Sequence, residues 1–94
     1  LTVEEIASRV HLHPVYFSQL FKAAVGVPPR QYLVRIRINQ ARRLLAETDM
    51  PVGEIAQNCG FRTMAYFSRV FREIEGVSPS AFRRQNPPPK RVLA

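Results

Sequence analysis

Apolar residues recur at three- and four-residue spacings along most of this chain, the period of a helix with one buried face. No stretch of useful length alternates apolar and polar positions, so the predicted class is all-α. Thr2-Val3-Glu4-Glu5 has the form of a capping box and should open a helix running to about Val10. His11-Leu12-His13 is a turn, and Pro14 suits the first position of a second helix ending at Gly26. Pro28-Pro29 opens a longer helix to about Glu47, and Thr48-Asp49-Met50-Pro51 breaks it. A short helix from Val52 to Asn58 follows, then a turn at Cys59-Gly60-Phe61 and a helix from Met64 to Glu75 with Thr63 as its cap. Pro51 leaves the Val52 helix without a good side-chain cap. Ser78-Pro79 opens a last short helix to Arg84.

The order of these elements repeats. Ile6-Ala7, Tyr16-Phe17-Ser18-x-Leu20-Phe21-Lys22 and Gly26-Val27-x-Pro29 return as Ile55-Ala56, Tyr66-Phe67-Ser68-x-Val70-Phe71-Arg72 and Gly76-Val77-x-Pro79. The offset is 49 residues before the turn and 50 after it, so the second copy holds one extra turn residue. Each copy has helix-turn-helix spacing: a short helix, a tight turn, then a longer helix. Gly60 supplies the backbone freedom of the second turn, and His11 takes the matching place in the first. The organisation expected is a first helix-turn-helix lobe over 1–28, a connecting helix over 29–48, a second lobe over 49–84, and a Pro/basic tail over 85–94 that is extended or disordered.

On a helical wheel Tyr16, Phe17, Leu20, Phe21 and Ala24 share one arc, as do Tyr66, Phe67, Val70, Phe71 and Ile74 in the second copy. Both arcs are expected to be buried. The opposite arcs carry Val15, Ser18, Gln19 and Lys22, against Ala65, Ser68, Arg69 and Arg72. The packing faces are nearly the same in the two copies; the open faces have diverged. Met64 sits at the edge of the buried arc. In the connecting helix Leu33, Val34, Ile38, Ala41, Leu44 and Leu45 form one stripe, with Arg35 and Arg42 opposite and Tyr32 and Ile36 as a second apolar edge. Arg37 falls inside the main stripe, and a charge there needs a partner, which makes it a structural anchor before a DNA contact.

Charge changes what the open faces mean. Lys and Arg number 14 against 7 Asp and Glu, a formal charge of +7. From Ile6 through Ala46 there is no acidic residue, while Arg9, Lys22, Arg30, Arg35, Arg37, Arg42 and Arg43 all fall there. Such a surface attracts polyanions. Gln19 is of the type that pairs with adenine and Arg69 with guanine; Val15 and Ala65 suit a thymine methyl, and Ser18 and Ser68 permit close approach. Lys22 and Arg72, one turn further on, suit phosphates, and Thr63 joins them as a phosphate candidate beside its capping role. Two such readers joined by about seventeen helical residues, roughly 25 Å of helix, would stand about one DNA turn apart, ~34 Å. The rival reading keeps the charge and discards the repeat: a basic helical module docking on an acidic protein or RNA.

Other chemistry is thin. The single cysteine, Cys59, excludes an internal disulfide and aligns with Val10 at an apolar position before the turn. His11 and His13 lack a carboxylate or thiol at ligand spacing, so no metal and no cofactor is expected. No nucleophile–base pair, phosphate loop or paired carboxylates mark an enzyme. The apolar runs are too short to span a membrane and no signal pattern opens the chain, so a cytoplasmic protein without membrane contact is expected.

Three sets of residues resemble the DNA-binding domain of the AraC/XylS family of bacterial transcription regulators. They are Ile55-Ala56-x-x-Cys59-Gly60-Phe61, Tyr66-Phe67-Ser68-Arg69-x-Phe71-Arg72 and Gly76-Val77-Ser78-Pro79-x-x-Phe82-Arg83. Arg37-x-x-x-Ala41-x-x-Leu44-Leu45 belongs to the same pattern, and the likeness covers about residues 1 to 84. It implies two helix-turn-helix lobes on a long helix, double-stranded promoter DNA as partner, and RNA polymerase as a second candidate partner. It also implies that Val15, Ser18, Gln19, Ala65, Ser68 and Arg69 lie toward the bases. Family domains usually carry one more helix before the position of Leu1, and most have a separate effector or dimerisation domain, so a fragment of a longer regulator is expected, with a small member consisting of the DNA-binding domain alone as the alternative. Similar domains also occur beside DNA-repair methyl acceptors; with Cys59 alone, this chain would supply binding there and not catalysis.

Overall fold

Six helices follow one another in the computed structural model, which describes residues 2–89. They are α1 (Val3–Arg9), α2 (Pro14–Val25), α3 (Pro29–Glu47), α4 (Val52–Asn58), α5 (Met64–Glu75) and α6 (Pro79–Gln85). The sequence reading agrees to within a residue at nearly every end; α6 runs one residue past Arg84. Asn86 to Pro89 of the expected tail are non-helical, and Lys90 and Arg91 lie outside the described residues.

The helix ends show why the boundaries were readable. The Thr2 hydroxyl accepts the Glu5 backbone N–H at 3.1 Å, the Thr63 hydroxyl that of Tyr66 at 3.1 Å, and the Ser78 hydroxyl that of Ala81 at 3.1 Å. Each satisfies a donor that the first turn leaves orphaned. α4 has Pro51 at its N-cap and no side-chain cap bond, as expected. α2 has a cap the residue pattern did not announce. His13 Nδ1 accepts the Val15 N–H at 3.2 Å.

The chain divides into two compact units, Leu1–Arg35 and Ile36–Ala94. α3 gives its opening turns to the first unit and the remainder to the second.

The second unit has a well-closed core. Phe67, Phe71, Ile38, Leu45 and Ile55 are fully buried, joined by Ala41, Ala56, Cys59, Phe61 and Val70. Their rings form a connected series: Phe61 meets Phe67 at 5.0 Å between centroids, Phe67 meets Phe71 at 5.7 Å, and Phe71 meets Phe82 edge-on at 5.5 Å. Burial pushes the Cys59 thiol above its usual range, the behaviour of a core thiol. Arg42 reaches Glu75 at 3.3 Å and lies over the Phe82 ring at 5.7 Å, tying α3 to α5 and α6.

The first unit corrects the expectation of a second buried arc. No residue of α2 is buried; Phe17 and Phe21 are half-buried, while Tyr16, Leu20 and Ala24 are exposed. Among the described residues of this unit, α2 has only α1 and the opening of α3 to pack against. Phe17, Phe21 and Tyr32 share a ring cluster, with centroids 5.9 and 5.4 Å apart. The pre-turn residues differ in the same sense: Cys59 is 3% exposed and Val10 50%. Within α5, Tyr66 and Ile74 also leave the predicted arc and are exposed. In α3, Ile38, Ala41 and Leu45 are the buried centre of the stripe; Leu33, Val34 and Leu44 are half-buried, and Tyr32 and Ile36 are exposed.

The two turns adopt left-handed backbone at corresponding places, His11 at φ 59° and Gly60 at φ 88°. At Gly60 there is a second constraint. A Cβ built there would stand 3.2 Å from Nε of Arg37, whose half-buried side chain passes beneath the turn. Gly60→Ala is therefore expected to cost about 1–3 kcal/mol, from a non-glycine residue in left-handed backbone and from displacing Arg37. Urea denaturation checks this; a change under ~0.5 kcal/mol, the scale of an ordinary surface substitution, would refute it.

Candidate nucleic-acid interface

α2 starts at a proline with His13 as cap and ends at Gly26, so its length and rotation are set at both ends. With the rings of Phe17 and Phe21 turned inward, helical geometry sends Val15, Gln19 and Lys22 outward, and all three are exposed. Ser18 is half-buried between them. These four side chains line one shallow concavity of about 460 Å³, closed at its rim by Pro14, Pro28, Val3, Glu4 and Arg30. The structure therefore brings the predicted first-lobe residues onto one surface. It adds Arg30 and Glu4, which form an ion pair with each other and which the sequence reading did not join. Both side chains are more than half exposed, so the pair adds little stability and leaves Arg30 accessible to an anion.

α5 repeats the arrangement with different chemistry. Phe67, Val70 and Phe71 anchor its inner face. Ala65, Arg69 and Arg72 are exposed outward and Ser68 is half-buried, the same pattern as Val15, Gln19, Lys22 and Ser18. Arg69 lies over the Tyr66 ring, its Cζ 5.4 Å from the centroid. Thr63 stands apart from these four, at a depression of about 380 Å³ that it shares with Arg62, Met64 and residues of α4. Its oxygen is used as the α5 cap, and its hydroxyl proton stays available to an acceptor. Met64 is 44% exposed.

Both outward faces are thus open helix surfaces with short residues at their centre and a cation at the C-terminal side. Among the described residues, no group of three or more His, Cys, Asp or Glu side chains could hold a metal ion, and no helix is long and apolar enough to cross a membrane. Arg37 is engaged within the fold, half-buried against Gly60, consistent with an anchor.

Residues 6–85 match the family model described as "Helix-turn-helix domain". The chain belongs to the AraC/XylS-type helix-turn-helix family. It is 42% identical over 85 residues to the regulatory protein PocR of Salmonella typhimurium, covering 90% of this chain and 28% of that protein. To the arabinose operon regulatory protein of Escherichia coli it is 40% identical over 81 residues, covering 86% and 28%. Among solved structures it resembles the DNA-binding domain of the global transcriptional factor AdpA in complex with a target DNA. There the TM-score is 0.85 at 36% identity, over 90% of this chain and 77% of that one. The chain thus spans less than a third of these two curated relatives. Other relatives, YisR of Bacillus subtilis and YijO of Escherichia coli, are named as HTH-type transcriptional regulators.

Proposed function

We propose that this chain is a sequence-specific, double-stranded DNA-binding domain of a transcription regulator, setting α2 and α5 into successive major-groove segments. The observation that supports this most is the pair of outward faces: alike in position, size and cation placement, and unlike in base-pairing chemistry. The AdpA domain, similar over most of its length, is one whose structure includes target DNA. In this reading Val15, Ser18, Gln19, Ala65, Ser68 and Arg69 meet base edges, and Lys22, Arg72 and Thr63 meet phosphates. The role is binding, with no catalytic step. Promoter DNA is the partner; RNA polymerase is a second partner in the same reading.

Selection of bound sequences from a random duplex library tests the proposal. The expected product is an asymmetric site of two short blocks about one helical turn, ~10 bp, apart, the α5 block containing guanine. Arg69→Ala or Gln19→Ala should each relax preference at one position, costing about 1–3 kcal/mol on the selected site. Lys22→Ala and Arg72→Ala should weaken all sequences alike and lower the salt slope by about 1 each. A library recovered without any consensus would instead favour a basic module that reads charge alone.

A further inference from the structure

We propose that Tyr66 is a positioning residue for base recognition by Arg69, holding the guanidinium over its ring before DNA arrives. The inference rests on the reading of Arg69 as a base contact.

The helical pattern alone assigns Tyr66 to the core. The structure removes it: the side chain is 42% exposed, as Ile74 at the far end of the same arc is exposed, while Phe67, Val70 and Phe71 between them are buried. Much of the side chain therefore lies outside the core packing. What it does have is a neighbour. Arg69 lies three residues on, the spacing at which helix side chains meet, and its Cζ stands 5.4 Å from the ring centroid, within cation–π reach. The alternative holder would be Glu73, one turn further along α5, yet Arg69 and Glu73 form no ion pair. The ring is therefore the group that restrains Arg69 among the described residues.

The ring is itself held. Phe61 contacts Tyr66 at 6.0 Å between centroids, tilted by 50°, and Phe61 is packed on the fully buried Phe67. Phe67, Phe61, Tyr66 and Arg69 thus form a continuous series from the core to the outward face. A cation–π contact uses the π face of the ring and spends none of the guanidinium N–H groups. Both members of a bidentate fork remain for a guanine O6 and N7. Arginine has many rotamers to lose on binding, and a partner that reduces them beforehand raises selectivity without touching the DNA.

The first copy has no such device. Tyr16 occupies the matching position and is likewise exposed, but three residues on stands Gln19, which has no charge to offer the ring. The α5 block should accordingly be read more sharply than the α2 block.

The test uses the whole chain with Tyr66→Phe, Tyr66→Leu and Arg69→Ala. Affinity is measured on the selected duplex and on one carrying a substituted base pair at the position that Arg69→Ala relaxes. Tyr66→Phe, which keeps the ring, should retain the wild-type discrimination. Tyr66→Leu, which keeps apolar bulk without a π face, should lose about two- to fivefold of it, the range of an exposed cation–π contact. Affinity for duplexes altered elsewhere should change in parallel with the wild type, and thermal unfolding should match between the Phe and Leu variants. Tyr66→Leu with undiminished discrimination, or with tighter binding to the selected duplex, would overturn the positioning role and leave the Arg69 reading intact. Arg69→Ala with an unchanged consensus would overturn both.

Discussion

Phe71→Ala is expected to destabilise the second unit by about 3–5 kcal/mol. The residue is fully buried and its ring lies between those of Phe67 at 5.7 Å and Phe82 at 5.5 Å, the latter edge-on at 77°. Removing it discards the transfer free energy of an aromatic side chain and opens a void that the flanking rings, carried by α5 and α6, cannot fully close. For a domain of this size, with ~5–15 kcal/mol in total, that is a large share of the stability. Urea denaturation followed by circular dichroism measures it. The first-copy counterpart provides the control. Phe21 is only half-buried, so Phe21→Ala should cost distinctly less. Equal costs at the two positions would mean that the observed difference in burial has no energetic content.

Arg83→Ala is expected to cost about 1.5–3 kcal/mol, the value of hydrogen bonds to a charged group. Arg83 Nε donates to the Leu45 carbonyl at 3.2 Å and a terminal guanidinium N–H to the Thr48 carbonyl at 3.1 Å. These carbonyls lie at the C-terminal end of α3, where the last turn leaves acceptors unpaired and the helix dipole favours a cation. One side chain from α6 thereby caps α3 across 35 residues of sequence or more. Arg83→Lys should recover only part of the loss, because an ammonium lacks the planar fork that serves two acceptors at once. Full rescue by lysine would show that charge near the helix end matters and the fork does not; a loss under ~0.5 kcal/mol for alanine would show that neither does.

Arg83 also shows the limit of reading along the chain. Its residue type and place in a motif were visible, but its partners are three helices away in sequence, and no periodicity points to them. The same holds for the Arg42 contacts with Glu75 and Phe82, for the Arg30–Glu4 pair, and for Arg37 beneath Gly60. By contrast, Thr2, Thr63 and Ser78 act on backbone three residues ahead, within the reach of local pattern. His13 is a local cap too; it escaped notice because a histidine is not among the favoured capping types.

The candidate site divides along the same line. Which residues share an outward face follows from 100° per residue, and both faces came out as their spacing requires: Val15, Gln19 and Lys22, and Ala65, Arg69 and Arg72. Their roles toward bases and phosphates are a proposal that the selection experiment addresses. What spacing did not provide is the burial of the opposite faces. Equivalent apolar arcs on α2 and α5 ended with different exposure, because burial depends on how many neighbouring helices stand over an arc and not on the arc itself. The departure of Tyr66 from the core belongs to that class of fact; the contact with Arg69 that it permits lies within one helical turn.

Helix number, order, caps, turns and the duplication of the helix-turn-helix unit were therefore dictated by local chemistry: capping hydroxyls, prolines, left-handed turn residues and a 3.6-residue period. Tertiary structure alone decided which copy closes a core, which carbonyls a distant arginine satisfies, and that Tyr66 stays outside the core with its ring against Phe61. The physical reason is range. Backbone capping and helical phase act over three or four residues, whereas packing, ion pairing and ring contacts depend on surfaces that meet only when the helices assemble.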